Sequence, residues 1–115
     1  MKKMKIITAA AAALFILAPC LSGAGLPEEA KLNVARVKYG GGGDWYSDPS
    51  SLPNLLSAFR KRTGIETSSG EKVVTLSSPE LYRYPFLYMT GHGNIELTPE
   101  ELDVLRNHLL SGGFL

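Results

Sequence analysis

Beyond residue 30 the hydrophobic positions of the chain follow two periods, one typical of strands and one typical of helices. Residues 32–39 (LNVARVKY) intersperse apolar with polar side chains and contain β-branched and aromatic types, which predicts a strand. Residues 72–76 (KVVTL) and 85–90 (PFLYMT) predict two further strands. The almost continuous apolarity of 85–90 favours burial on both faces, as in a parallel sheet covered by helices.

The segment between the first two predicted strands has the spacing of an amphipathic helix. Ser51 is expected to cap its start, and Gly64 supplies the left-handed residue that stops it. The apolar positions fall at i, i+3, i+4 and i+7 and predict one buried stripe. These positions are Leu52, Leu55, Leu56 and Phe59.

A second helix is predicted after the third strand. Thr98 and Glu101 form a capping-box pattern, and Pro99 occupies the first helical position. Gly112 and Gly113 then stop the helix. The predicted buried stripe consists of Leu102, Leu105 and Leu109, while His108 is expected to be exposed.

The resulting order of elements is strand, helix, strand, one short helical turn at 78–81, strand and helix, with a fourth strand opening at 114–115. This order predicts an α/β domain with a three-layer parallel sheet and right-handed crossovers. Such domains usually need more than about 100 residues. Because the chain ends as the fourth strand begins, we expect a domain truncated at its C-terminus. The alternative is a minimal domain whose last residues form an edge strand.

The N-terminus has the organisation of a secretory signal. Three lysines precede an apolar run at 6–18, and small residues follow through Gly25. The run is shorter than the roughly 20 apolar residues that a membrane span needs. We therefore predict a signal peptide at 1–24, a linker at 25–30, a domain at 31–115 and export to a bacterial periplasm, with no membrane span after cleavage. The alternatives are a buried N-terminal helix or a lipoprotein anchored at Cys20.

Composition excludes several classes of function. The formal net charge of +1 provides no basic field for nucleic acid. The single cysteine excludes a disulfide framework within the chain and a multi-cysteine metal site. Cleavage after Ala24 would leave nine basic and eleven acidic residues and no thiol nucleophile.

Four stretches resemble one bacterial family, the domain of unknown function 4159. They are residues 36–46 (RVKYGGGGDWY), 73–76 (VVTL), 84–93 (YPFLYMTGHG) and 109–115 (LLSGGFL). The resemblance implies a flavodoxin-like fold similar to the class I glutamine amidotransferase superfamily. It also implies a longer domain that continues past residue 115, in agreement with the expected truncation.

In open parallel sheets, ligands bind at the carboxyl ends of the strands, where the strand order reverses. A flavodoxin-like order makes the first and third strands neighbours, so we expect the loops at 40–48 and 91–94 to meet. Both loops are rich in glycine and in polar or aromatic residues. We predict His92 and Asp44 as the catalytic candidates, because imidazole titrates near neutral pH. The predicted ligand-binding residues are Gly41, Gly42, Gly43, Trp45, Tyr46, Gly91, Gly93 and Asn94.

Each candidate has a purely structural alternative. The glycine run matches neither a P-loop nor a dinucleotide fingerprint and can be a flexible turn. Trp45 and Tyr46 can cover the sheet edge, Asp44 can cap a turn, and His92 can hydrogen-bond the neighbouring loop. No standard metal-ligand spacing is present, and no cofactor or metal is predicted.

Two functions remain open. The first is a non-catalytic module of the bacterial envelope that binds a small anionic or sugar-like ligand or an envelope protein. The alternative is a hydrolase-like enzyme that uses His92 and Asp44, with its nucleophile in the missing C-terminal half. The superfamily resemblance places a cysteine nucleophile just beyond residue 115. Because residues 25–115 contain neither a cysteine nor a G-x-S-x-G elbow, glutaminase activity is not expected.

Overall fold

A computed structural model describes residues 25–27 and 30–115. The predicted signal peptide and two linker residues lie outside the described residues. Six elements follow one another: strand β1 (Val34–Val37), helix α1 (Ser51–Thr63), strand β2 (Lys72–Val74), a 3₁₀ helix (Pro79–Arg83), strand β3 (Phe86–Tyr88) and helix α2 (Pro99–Leu110). Within the described part of the chain, no helix is both long and apolar enough to cross a membrane.

The three strands form a parallel sheet with β1 in the centre. Ala35 is in register with Lys72 of β2 on one side and with Leu87 of β3 on the other, so the order is β2-β1-β3. The chain therefore passes from β1 to one side and returns to the other side for β3. The predicted α/β class and parallel sheet are confirmed, and β1 and β3 are neighbours as expected.

The predicted fourth strand is present as a single bridge. Phe114 pairs in parallel with Phe86 on the free side of β3. Its backbone N–H donates to the Pro85 carbonyl at 2.8 Å, and its carbonyl accepts from the Leu87 N–H at 2.8 Å. Phe86 itself is 42% exposed, so the expected burial of the third strand on both faces is wrong for this residue. Of the aromatic rings in the described residues, only that of Phe114 lies against it, with centroids 6.1 Å apart.

Alternation along β1 divides its side chains between the two faces of the sheet. Ala35 and Val37 point into the main core, whereas Arg36 points to the opposite face, where it reaches Ser51 of α1. The main core comprises Ala35, Val37, Val74, Leu76, Leu81 and Leu87, against which Tyr84, Met89, Leu97, Val104 and Leu105 pack. This division places structure on both faces of the sheet.

Helix α1 ends as predicted but begins differently. Gly64 adopts φ 72° and donates its N–H to the Arg60 carbonyl. Ser51 is the first helical residue and not the N-cap, and its hydroxyl accepts a hydrogen bond from Arg36. The N-cap is Ser50, which makes no side-chain capping bond. Leu55 is exposed, so the buried stripe is narrower than the apolar spacing predicted.

Helix α2 has the predicted capping box but presents a different face to the core. The Thr98 hydroxyl accepts from the Glu101 N–H, and the Glu101 carboxylate accepts from the Thr98 N–H. Leu102 and Leu109 are exposed, contrary to the prediction. The inward side chains are Leu97, just before the helix, and Val104, Leu105 and His108 within it.

His108 is only 4% exposed, so its predicted exposure is wrong. Val104 and Leu105 lie four and three residues before it, which places all three on one helical face. The ring lies near Tyr82, with centroids 6.3 Å apart, and close beneath Gly113. The face that helix α2 presents to the core therefore includes His108, although histidine is a polar residue.

Candidate functional site at the carboxyl edge of the sheet

The first loop (residues 40–48) and the second loop (residues 91–94) lie side by side. Both leave the same edge of the sheet, because β1 and β3 are parallel neighbours. The Asp44 N–H donates to the His92 carbonyl at 3.1 Å, and Gly42 forms a parallel bridge with Asn94. The expected meeting of the two loops is confirmed. We call their shared outer surface the rim.

Asp44 and His92 form a side-chain pair at the rim. One carboxylate oxygen of Asp44, Oδ1, accepts the backbone N–H of His92, and the other, Oδ2, lies 3.2 Å from His92 Nδ1. The Asp44 side chain is 33% exposed, whereas that of His92 is 89% exposed. Because Nδ1 faces the carboxylate, Nε2 is the ring nitrogen that is left to contact a ligand.

Hydrogen bonds from His92 lower the pKa of Asp44 below its ordinary value of 3.8. The backbone N–H of His92 makes the largest contribution and the ring nitrogen the next, while partial burial opposes them. An ionised carboxylate only accepts hydrogen bonds, so Nδ1 must carry the proton that the pair shares. In the neutral ring, Nε2 is then a hydrogen-bond acceptor and a base.

The Tyr39 side chain fills the space beneath the two loops. It is buried, and its hydroxyl donates to the Thr90 carbonyl at 2.9 Å. A Cβ at Gly91 would overlap the Tyr39 hydroxyl, and one at Gly43 would lie 2.9 Å from it. Gly91 also has φ 141°, a conformation that favours glycine. These two predicted ligand-binding glycines therefore have a demonstrable packing role.

The other glycines of the rim differ in the space around them. A Cβ at Gly41 would lie 2.7 Å from the backbone nitrogen of Glu96, so this residue also packs against the segment that follows the second loop. Gly42 has φ 82° and no heavy atom within 4 Å of an added Cβ. Of the three predicted ligand-binding glycines at 41–43, Gly42 is thus the one with open space around an added Cβ among the described residues.

The two aromatic residues of the first loop lie edge to face, with ring centroids 5.6 Å apart and an interplanar angle of 88°. Trp45 is half-buried, and Lys38 Nζ lies 5.5 Å from its ring centroid. Tyr46 is exposed. Lys38 covers part of the Trp45 ring, so Tyr46 presents the more accessible ring. This lysine contact was not predicted from the sequence.

Arg36 is a second residue that the sequence analysis did not assign to the site. It is 1% exposed and donates to the backbone carbonyls of Trp45, Ser47 and Asp48. Its Nε lies 3.0 Å from both carboxylate oxygens of Glu71. One signal in the sequence could have identified it: Arg36 is a charged residue at the centre of an otherwise apolar strand. A buried arginine requires several hydrogen-bond acceptors, so this position predicts that other segments contact it.

A family model for the domain of unknown function DUF4159 matches residues 33–115. The chain belongs to the DUF4159 family. The family resemblance drawn from the four stretches is therefore confirmed. No match to this chain was found among curated proteins.

Beside the rim of this DUF4159 domain is an open depression of about 420 Å³. It is lined by Gly40, Gly41, Glu96, Leu97, Thr98 and Glu101. Neither Asp44 nor His92 lines it, so the histidine stands on the outer surface. Within residues 25–27 and 30–115, no group of three or more His, Cys, Asp or Glu side chains is placed to hold a metal ion.

Proposed function

We propose that this DUF4159 domain is a ligand-binding module of the bacterial envelope, with His92 as its principal polar contact. The observation that carries the proposal is the pairing of His92 Nδ1 with Asp44, which orients the ring and leaves Nε2 to a ligand. Export is supported by the signal-like sequence at 1–24. Catalysis is not required for this role.

The chemistry of the rim suits a small sugar-like or anionic ligand. A ligand hydroxyl can donate to Nε2 of the neutral imidazole, and a protonated imidazole can donate to an anion. The exposed ring of Tyr46 offers an apolar face next to these polar groups. An envelope protein that presents the same groups is an equivalent ligand in chemical terms.

We also propose that the fold is flavodoxin-like and similar to that of the class I glutamine amidotransferases. The order β2-β1-β3 supports this, and so does Phe114 on the free side of β3. In such folds the reversal between β1 and β3 is the usual place for a ligand. The rim lies at this reversal.

A hydrolase-like activity is the second candidate. A carboxylate on Nδ1 and a free Nε2 is the arrangement with which a histidine removes a proton from a water molecule or a hydroxyl. The proton would pass to Nε2, and Asp44 would stabilise the resulting imidazolium. The nucleophile would come from outside the rim.

Calorimetric titration with inorganic phosphate, acetate, methyl glucoside and methyl N-acetylglucosaminide tests the binding proposal. We expect at least one probe to bind, and His92→Ala to weaken that binding by about tenfold through loss of one hydrogen bond. Asp48→Asn, in the same loop but outside the pair, is the matched control and should bind as the unaltered protein does. Equal binding by His92→Ala, or no binding of any probe by the unaltered protein, would refute the proposal.

Hydrolysis of p-nitrophenyl acetate and p-nitrophenyl phosphate tests the second candidate. Turnover that His92→Ala abolishes and Asp48→Asn retains supports an enzyme. Turnover that persists in His92→Ala excludes this residue as the base.

Mass spectrometry of the periplasmic fraction of a bacterial host tests export. Recovery of the protein in the cytoplasm with residues 1–24 intact would contradict it.

A further inference from the structure

A charged side chain is buried at the middle of the central strand, and three of its six hydrogen bonds lead to the loop that carries Asp44. Arg36 lies on β1 between Ala35 and Val37, which point into the main core on the opposite face. A buried guanidinium is unfavourable unless hydrogen-bond acceptors surround it. The first loop supplies three of these acceptors, the carbonyl groups of Trp45, Ser47 and Asp48.

The guanidinium holds three carbonyl groups that lie within four consecutive residues. Nη1 donates to the Trp45 carbonyl at 3.2 Å and the Ser47 carbonyl at 2.9 Å, and Nη2 donates to the Asp48 carbonyl at 3.3 Å. Nη2 also donates to the Ser51 hydroxyl at 3.3 Å, which connects the loop to the first turn of α1. Backbone carbonyl groups in a buried segment need hydrogen-bond donors, and at residues 45–48 the Arg36 guanidinium supplies three of them.

Two further groups hold the guanidinium itself in place. Both carboxylate oxygens of Glu71, just before β2, accept a hydrogen bond from Arg36 Nε, and the carboxylate balances the positive charge of the buried guanidinium. The Tyr88 ring of β3 lies 5.2 Å from the guanidinium carbon. Arg36 is thus held by Tyr88 on β3 and by Glu71 in the segment before β2, while it donates hydrogen bonds to the loop carbonyls. Lysine lacks the planar fork that reaches several acceptors at once.

Asp44 directly precedes the gripped segment. Its carbonyl accepts the Ser47 N–H at 2.8 Å, so a shift of the Ser47 backbone moves Asp44 with it. The Asp44 carboxylate in turn orients the His92 ring. This gives a continuous series of contacts from Glu71 through Arg36 and the loop backbone to His92.

We propose that Arg36, together with Glu71, is the positioning residue of the rim: it sets the place of Asp44 and thereby the orientation of the His92 ring. Its effect on ligand binding rests on the proposed function. Its effect on the Asp44–His92 pair does not, and the two are measured separately.

The test compares Arg36→Lys and Glu71→Gln with Glu80→Gln. Glu80 is an exposed glutamate on the 3₁₀ helix and controls for the loss of one carboxylate. Thermal unfolding reports on the fold, and the ¹⁵N chemical shifts of the His92 ring report on the pair. We expect Arg36→Lys to remain folded. The ¹⁵N shifts of the His92 ring should move to those of a free histidine, because lysine cannot donate to the three loop carbonyls at once as the planar guanidinium does. Affinity for the bound probe should fall by about tenfold.

Glu71→Gln should shift the His92 signals in the same direction by a smaller amount, and Glu80→Gln should leave them unchanged. A folded Arg36→Lys protein with unaltered His92 shifts would overturn the inference. If Arg36→Lys does not fold, Glu71→Gln and Ser51→Ala decide, and unaltered His92 shifts in both would overturn it equally. If the shifts change but the unaltered protein binds none of the probes, the proposed function fails and the positioning role stands.

Discussion

The carboxylate of Asp44 receives two hydrogen bonds from a single residue, His92, which lies 48 positions further along the chain. One bond comes from the backbone and the other from the ring. The backbone bond joins the two loops, and the ring bond selects which nitrogen faces solvent. The same carboxylate therefore closes the rim and orients its most exposed polar group.

Asp44→Asn should change the tautomer of His92 without opening the rim. The asparagine oxygen can still accept the His92 N–H, but its amide group can donate to Nδ1, so the ring proton is expected to move to Nε2. Long-range ¹H–¹⁵N spectra distinguish the two tautomers directly. Asp48→Asn should leave the proton on Nδ1. Retention of the Nδ1 proton in Asp44→Asn would mean that the carboxylate does not set the tautomer.

Acid should weaken the fold partly through Asp44. Its pKa is lowered in the folded protein from the ordinary value of 3.8, so the ionised form favours folding. This contribution is complete above the unfolded pKa of 3.8 and disappears as the pH falls through the lower folded value. The urea midpoint of Asp44→Asn should lie below that of the unaltered protein at pH 6, and the two should converge as the pH falls below the lowered pKa of Asp44. Asp48→Asn should follow the unaltered protein throughout, and a constant Asp44→Asn deficit would contradict the assignment.

Two glycine substitutions separate backbone strain from steric overlap. Gly91→Ala should destabilise the protein by about 2–4 kcal/mol, because the methyl group meets the Tyr39 hydroxyl in a strained conformation. Gly42→Ala has a positive φ but open space, so about 1 kcal/mol is expected. Urea unfolding measures both. In a Tyr39→Phe background the cost of Gly91→Ala should fall, and an unchanged cost would show that the hydroxyl is not the obstacle.

His108→Leu should preserve or increase stability. The His108 Nε2 atom is buried and has no hydrogen-bond partner among the described residues, and such an atom costs about 1–3 kcal/mol. A leucine removes that atom and keeps the apolar contact with the core. We expect the free energy of unfolding to rise by about 1 kcal/mol. Asn107→Leu, on the exposed side of the same helix, should give no such gain, and a loss in His108→Leu would show that the nitrogen is bonded in solution.

Local pattern was sufficient for the order of the elements, the end of α1 and the start of α2, but not for the N-cap of α1. The capping box at Thr98 and Glu101 and the stop at Gly64 involve groups within four residues of one another, so the sequence contains all the information that these bonds need. The meeting of the two loops followed from the flavodoxin-like strand order that the family resemblance implied, together with one rule about parallel sheets. The Asp44–His92 pair was accessible for the same reason.

The burial of individual helix positions depended on distant contacts. Leu55, Leu102 and Leu109 have the correct spacing for a stripe but are exposed, because the angle at which a helix meets the sheet selects which side chains are covered. His108 is buried for the same reason. Spacing defines a face of a helix, but it does not define its rotation about the helix axis.

By itself the sequence determined the order and type of the elements, the end of α1 and the start of α2, and the two loops in which polar residues gather, since short-range hydrogen bonds and hydrophobic period decide these. Only the tertiary structure decided what holds the loops. In the sequence Arg36 is a single polar residue within a strand, yet its six hydrogen bonds are made to residues 9 to 35 positions away. A buried charge takes its partners from whichever segments the fold brings within about 3 Å of it, and no local pattern encodes that choice.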